Sequence, residues 1–244
     1  DNKWFGVLLI IEDITQIKKL ERMRSDFVSN VTHELKTPLT SIRGFIDTLK
    51  NGAIKEEAVA NKFLDIIDIE AERLSGLIQD ILLLSEIESK KEYETEPIDI
   101  NQCALSVIDL LEPKLTDNVE ILFEPQPLKP FIGNPSRMKQ LFINLMDNAL
   151  KYTEEGTVTL SCKEKDNKLI ITVKDTGIGI EKEHLSRIFE RFYRVDKGRS
   201  RKQGGTGLGL SIVKHIVELY NGTIRVDSQL GVGTEFEIVL PYQV

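Results

Sequence analysis

Cysteine is scarce in this 244-residue sequence: Cys103 and Cys162 stand alone, outside any CxxC spacing, which excludes a disulfide framework and a cysteine-built metal site. Both read as small apolar fillers in a reducing compartment. Long hydrophobic runs are lacking too. Val7 to Ile11 falls far short of the roughly 20 apolar residues that cross a bilayer, and no basic stretch precedes it as in a signal peptide. There is no low-complexity tract and no repeat period, so disorder and solenoid folds are excluded. Positive charge is in the minority: 32 Lys and Arg against 39 Asp and Glu give a net charge of -7, with a pI near 5.2. That balance argues against nucleic acid or anionic lipid as a partner. What remains is a globular composition, 41% hydrophobic and 29% charged, long enough for two domains.

Periodicity divides the chain near residue 95. From Thr15 to Ser89 it reads as a long helical hairpin, punctuated by Pro38 and by Lys50-Asn51-Gly52-Ala53. Val28, Val31, Leu35, Leu39, Ile42, Ile46 and Leu49 form a seam on the first arm, answered by Phe63, Ile67, Leu74, Leu77, Ile81 and Leu84 on the second. Two helices cannot also bury Phe45, Ile66, Leu82 and Ile87, so the hairpin is expected to pair with a second copy as a four-helix bundle. Trp4 to Ile11 reads as one strand without its sheet, the edge of an upstream domain, with Asp13-Ile14-Thr15 as a capped helix entry. A longer parent protein is therefore expected. After a linker over 93–97, strands are predicted at Val119–Phe123, Thr157–Cys162, Lys168–Lys174, Thr223–Val226 and Glu235–Leu240. Helices are predicted at Asn101–Leu115, Ser136–Tyr152, Glu183–Ile188 and Leu208–Tyr220, giving an α/β sandwich with a mixed sheet.

His33 is the first chemically informative residue. At about 100° per residue it projects roughly 160° from the centre of the seam, into solvent, with Glu34 beside it and Thr37 one turn later. An exposed histidine is ordinarily no more than surface, but an accessible neutral imidazole is a nucleophile, and a neighbouring carboxylate can take its proton. Asn144, Asn148 and Lys151 share one face of a helix whose other face is apolar. Amide oxygens suit Mg²⁺ and the lysine suits phosphate, although an ordinary polar helix face reads the same way. Asp175-Thr176-Gly177-Ile178-Gly179 follows a strand: a plain turn, or a carboxylate for an exocyclic amine beside glycines that let a flat ring approach. Gly204 to Leu210 opens a helix whose amino end can hold phosphate, but it lacks the GK[ST] of a Walker loop and the strand of a dinucleotide fingerprint. Before it, Lys197, Arg199, Arg201 and Lys202 make a basic loop, solvated or supporting a phosphate site.

The string from Phe27 to Leu39, centred on His33-Glu34-Leu35-Lys36-Thr37-Pro38, resembles the phosphoacceptor box of two-component sensor histidine kinases. The helix Asn144–Tyr152, the Asp175–Ile180 turn, Phe189–Arg194, Gly204–Leu210 and Gly231–Thr234 resemble the N, G1, F, G2 and G3 boxes of the same family, in the family's order. The likeness covers about residues 13 to 241, in a phosphate-sensor-like subgroup. It implies a dimeric four-helix bundle followed by an α/β sandwich of the Bergerat (GHKL) type. Residues 1–14 would be the remnant of a PAS-like sensor domain, 15–92 the signalling helix and dimerisation/phosphoacceptor domain, and 98–244 the ATP-binding domain.

Carried over by position, the resemblance makes His33 the phosphorylated residue, Glu34 its general base and Thr37 the group that positions water for phosphatase action. Asn148 would ligate Mg²⁺ with support from Asn144, while Lys151 and Tyr152 approach phosphate. Asp175 would hold the adenine amine, with Gly177 and Gly179 making room for the base. Arg191 and Arg194 would touch phosphate; Gly205, Thr206, Gly207, Leu208 and Gly209 would shape the ATP lid; and Thr234 would close the pocket floor. The implied activity is ATP-dependent autophosphorylation and transfer to an aspartate of a response regulator, in a cytoplasmic segment of a membrane-anchored parent. Pro38 would serve as the signalling hinge. An ATP-driven clamp of the chaperone and mismatch-repair kind, or a dimeric nucleotide-sensing scaffold, are the alternatives; the first leaves the His33 box unexplained, and the intact set of boxes argues against the second.

Overall fold

The computed structural model describes residues 12–89, 94–195 and 205–242. The expected strand over Trp4–Ile11, the whole basic loop over 197–202 and Gly204 lie outside them. Contacts divide the chain into two compact units, residues 1–71 and 72–244.

The first unit is helical. Helix α1 (Thr15–Lys50) is entered through Asp13, whose carboxylate accepts from the Thr15 N–H at 2.9 Å; the Thr15 side chain first, and this backbone N–H second, hold the Asp13 carboxyl below its usual pKa. The helix runs unbroken through Pro38, which is buried. It turns at Gly52, whose φ of +123° only glycine adopts readily, passes a 3₁₀ turn (Ala53–Lys55) and enters α2 (Glu57–Glu88). The inner stripe is not quite the predicted one. Leu49 and Pro38 are buried and Phe45 packs on Phe63 with ring centroids 5.1 Å apart, whereas Val28, Leu39 and Ile46 are exposed. The stripe that closes the hairpin is thus Val31, Leu35, Pro38, Ile42, Phe45 and Leu49, stepping by four and three. Leu39 and Ile46, seven residues apart, lie one position further round.

In the second unit a five-stranded sheet has the order β2-β4-β5-β7-β6, with β2 (Val119–Phe123), β4 (Gly156–Lys165), β5 (Lys168–Asp175), β6 (Thr223–Gln229) and β7 (Gly233–Pro241). β2 runs parallel to β4 and every other pairing is antiparallel, so the sheet is mixed as expected. Leu169, Ile171 and Val173 alternate inward along β5 and meet α4 (Pro135–Tyr152), which buries Met138, Leu141, Phe142, Leu145, Met146 and Ala149. Asn134 caps α4 by accepting from the Arg137 N–H, with Pro135 at the first helical position. Helices α3 (Ile100–Leu111) and α6 (Gly209–Leu219) pack beside α4.

Several boundaries differ from expectation. α3 stops at Leu111 because Pro113 has no N–H to continue the ladder, and a 3₁₀ turn (Glu112–Lys114) follows. Glu96 and Pro97, expected in the linker, belong to β1 (Glu96–Ile98), which pairs antiparallel with β3 (Phe131–Gly133); three-residue strands are too short to show a period. The helix expected at Glu183–Ile188 is the single turn α5 (Lys182–Leu185). Ile87, expected on a face between two copies, is 5% exposed within this unit, next to Glu88, which pairs with Arg191 and His215.

Candidate functional site

On α1 the imidazole of His33 is exposed and makes no hydrogen bond to another described residue. The other two histidines are engaged. His184 Nδ1 lies 2.7 Å from the Tyr193 hydroxyl, and His215 places Nδ1 2.7 Å from the Ser211 carbonyl and Nε2 3.2 Å from Glu88 Oε1. His33 stands at the end of an open groove of about 710 Å³ lined also by Lys36, Thr37, Thr40, Ser41, Gly44, Phe45 and Thr48. The Thr37 hydroxyl donates to the His33 carbonyl at 3.1 Å, which fixes its oxygen on the groove wall one turn from the imidazole. Glu34, adjacent in sequence, is half-buried.

The second unit encloses a cavity of about 580 Å³ between α4, the ends of β5 and β7, and the amino end of α6. Asn144, Asn148, Lys151 and Tyr152 line it from the polar face of α4, while the opposite face fills the core. Asn144 accepts from Gln140 on Oδ1, and its buried Nδ2 has no partner among the described residues, an unsatisfied donor on a residue that lines the cavity. The Asn148 amide makes no hydrogen bond to another described residue. Burial is the main cause that lowers the Lys151 pKa; Arg194, Lys114 and Arg73 push it the same way and Asp147 opposes them. Cations gathered against their mutual repulsion mark a place for a polyanion.

Asp175 ends β5 at the cavity wall, buried. Its Oδ1 accepts from the Gly177 N–H at 2.9 Å and the Thr234 N–H at 3.2 Å; Oδ2 has no hydrogen bond to a described residue. Desolvation raises the carboxyl's pKa and the two N–H donors partly offset it. Thr234, the cross-strand partner of Asp175, shares a hydrogen bond with the Ser228 hydroxyl, which also accepts from the Ile180 N–H. The floor of the cavity is therefore tied together by hydrogen bonds.

Gly179, Arg194, Gly205, Thr206, Gly207, Gly209 and Thr234 line the same cavity. Three expected residues do not. A Cβ on Gly177 would stand 2.2 Å from the Tyr152 carbonyl oxygen, so this glycine makes room for backbone rather than for a base; Gly179, at φ +68°, does the same against the Gln229 carbonyl. Arg191 pairs with Glu88 of α2. Leu208 is fully buried in the core, and its N–H donates to the Thr206 hydroxyl at 3.3 Å. Sequence reasoning missed Asp80, Lys114, Asp147, Tyr193 and the apolar wall of Ile180, Ile188 and Phe236. Asp147, between Asn144 and Asn148 on α4, was within reach of the helical spacing. Asp80 and Lys114 come from distant segments with no motif of their own.

Oxygen donors on one wall, cations at one end and a buried carboxylate among apolar side chains suit a nucleotide with a hard divalent cation; the amide oxygen of Asn148 fits such a cation. Residues 133–244 match the family described as "Histidine kinase-, DNA gyrase B-, and HSP90-like ATPase", and residues 23–90 match "His Kinase A (phospho-acceptor) domain". The chain thus carries the two domains of a two-component histidine kinase catalytic core. It is 39% identical over 243 residues to the sensor histidine kinase WalK of Bacillus subtilis, covering 98% of this chain and 40% of that protein's length. Two solved structures are also similar. The histidine kinase ThkA, in complex with the response regulator protein TrrA, matches at TM-score 0.71 with 25% identity over 96% of this chain and 68% of that one. Full-length ShkA in complex with AMPPNP matches at TM-score 0.68 with 28% identity over 90% of this chain and 46% of that one. Among the described residues, no helix is long and apolar enough to cross a membrane.

Proposed function

We propose that this chain is the catalytic core of an ATP-dependent protein-histidine kinase that phosphorylates itself on His33 and passes the phosphoryl group to an aspartate of a response regulator. One observation carries the reading: within the phosphoacceptor box, His33 presents an imidazole that no described residue engages, unlike His184 and His215. Residues 15–92 serve as the dimerisation and phosphoacceptor part and 98–244 as the ATP-binding part, joined through 93–97, whose last two residues, Glu96 and Pro97, open β1.

In this reading Asp175 Oδ2 accepts from the adenine amine while Ile180, Ile188 and Phe236 cover the ring. Lys151 and Arg194 neutralise phosphate charge, and Asn144 Nδ2 donates to a phosphate oxygen. Asn148 would hold Mg²⁺, which would supply further charge neutralisation at the phosphates. At His33 an imidazole nitrogen lone pair forms the N–P bond as the bond from the γ-phosphorus to the bridging oxygen breaks; ADP leaves, and Glu34 takes the ring proton. Thr37, its oxygen fixed one turn from the imidazole, orients water for dephosphorylation of the regulator. The ThkA complex with TrrA supports a response regulator as partner, and the ShkA complex with AMPPNP supports ATP as ligand.

Exposed Leu39 and Ile46 on α1, with Leu64 and Ile69 on α2, support a homodimer joined through a four-helix bundle. The test is labelling with γ-labelled ATP and Mg²⁺: acid-labile, base-stable label on the wild-type chain, absent from His33→Gln and from Asn148→Ala. Label that persists in His33→Gln overturns the assignment.

A further inference from the structure

Asp80 is out of place in a polyphosphate site. It projects from α2 into the wall of the 580 Å³ cavity, where Lys114, Lys151 and Arg194 supply positive charge. Its Oδ2 accepts from the Thr206 hydroxyl at 2.8 Å, and no other described residue hydrogen-bonds to its carboxylate. The same Thr206 oxygen accepts from the Leu208 N–H, at the residue that caps α6. Asp80 is thereby an anion held, through one hydroxyl, at the positive end of an 11-residue helix. Burial raises its pKa, so the surroundings disfavour its charge more than the Thr206 bond favours it.

A phosphate oxygen satisfies the Thr206 hydroxyl and the amino end of α6 better than a half-buried carboxylate does, since it brings more charge and more acceptor oxygens. Two anions sharing one cavity also repel one another. We propose that Asp80 and the phosphates of the nucleotide compete for Thr206 and the amino end of α6, so that Asp80 sets the nucleotide affinity and nucleotide binding breaks the Asp80–Thr206 bond. The inference rests on the ATP reading above and adds a residue to it that acts against binding.

Asp80→Asn keeps an acceptor for the Thr206 hydroxyl and removes only the charge. Calorimetric titration of the 244-residue chain with ATP, ADP and adenosine tests the proposal. Expected is an ATP affinity at least threefold tighter in Asp80→Asn than in wild type, a smaller gain for ADP and none for adenosine. An unchanged ATP affinity, or an equal change for all three ligands, overturns the competition. Weaker binding of Mg²⁺-ATP also overturns it, by making Asp80 a metal ligand. A wild-type chain that binds neither ATP nor ADP removes the nucleotide reading itself, which a failure confined to the variant does not.

Discussion

Asp175 and Thr234 face one another across β5 and β7, and the Thr234 N–H donates to the same carboxylate oxygen that accepts from Gly177. One oxygen is thus consumed by the sheet and the turn, while the other is left for a ligand. An ionised carboxylate held this way carries a desolvation cost in the folded chain, which is why its pKa lies above the usual value of 3.8.

Asp175→Asn separates the two roles. A raised folded-state pKa makes the ionised group unfavourable to folding: the cost is absent below the unfolded pKa, grows as pH rises through the folded one and is constant above it. At pH 7 the variant is therefore expected to melt at the wild-type temperature or higher. Its ATP affinity should fall by about tenfold or more, the loss of one charge-assisted hydrogen bond. Wild-type affinity should also decline as pH is lowered toward the raised pKa, and that decline should be absent from the variant. Thermal unfolding and calorimetric titration across pH check all three.

The outward apolar stripe on α1 predicts the oligomeric state. Leu39 is 58% exposed and Ile46 37% exposed, and lysine at both positions would bury two charges in a bundle between copies. Light scattering at micromolar concentration should find a dimer for wild type and a monomer for Leu39→Lys/Ile46→Lys, with helix content unchanged by circular dichroism.

Glycines in this chain differ in what surrounds them. Gly177→Ala would drive a Cβ to 2.2 Å from the Tyr152 carbonyl oxygen, whereas nothing lies within 4 Å of a Cβ on Gly76 in α2. Denaturant unfolding should show a loss of about 1–3 kcal/mol for Gly177→Ala, from overpacking. Gly76→Ala should gain about 0.5–1 kcal/mol from helix propensity. A neutral Gly177→Ala would contradict the close backbone approach.

Burial pushes the Cys103 thiol up to about 11 and the Cys162 thiol up to about 12. Both are therefore thiols, not thiolates, at pH 8. Alkylation by iodoacetamide should be slow in the folded chain and complete for both cysteines once it is unfolded.

Long amphipathic elements were legible in the sequence because their periods repeat many times: α1, α2 and α4 were placed nearly to their ends, and β2 to its residues. Short pairings such as β1 with β3 carry no period and were not. In the site, residues whose roles follow from one local segment, such as Asn144, Asn148, Lys151 and Asp175, line the cavity as expected. Other placements depend on a neighbour distant in sequence, which no local pattern carries. Arg191 is taken by Glu88, Gly177 serves the Tyr152 carbonyl, and Asp80 enters the cavity from another helix. The seam of α1 was displaced by one position because Pro38 and Phe45, not Leu39 and Ile46, face inward.

The central claim, that His33 is the acceptor because its imidazole is the one left unengaged by described residues, is tested most directly by locating the phosphate. Mass spectrometry under neutral conditions, after incubation of the chain with ATP and Mg²⁺, should place a single phosphoryl group on the peptide containing His33 and none on those containing His184 or His215. Phosphate on either of those peptides, or none on His33, would contradict the account.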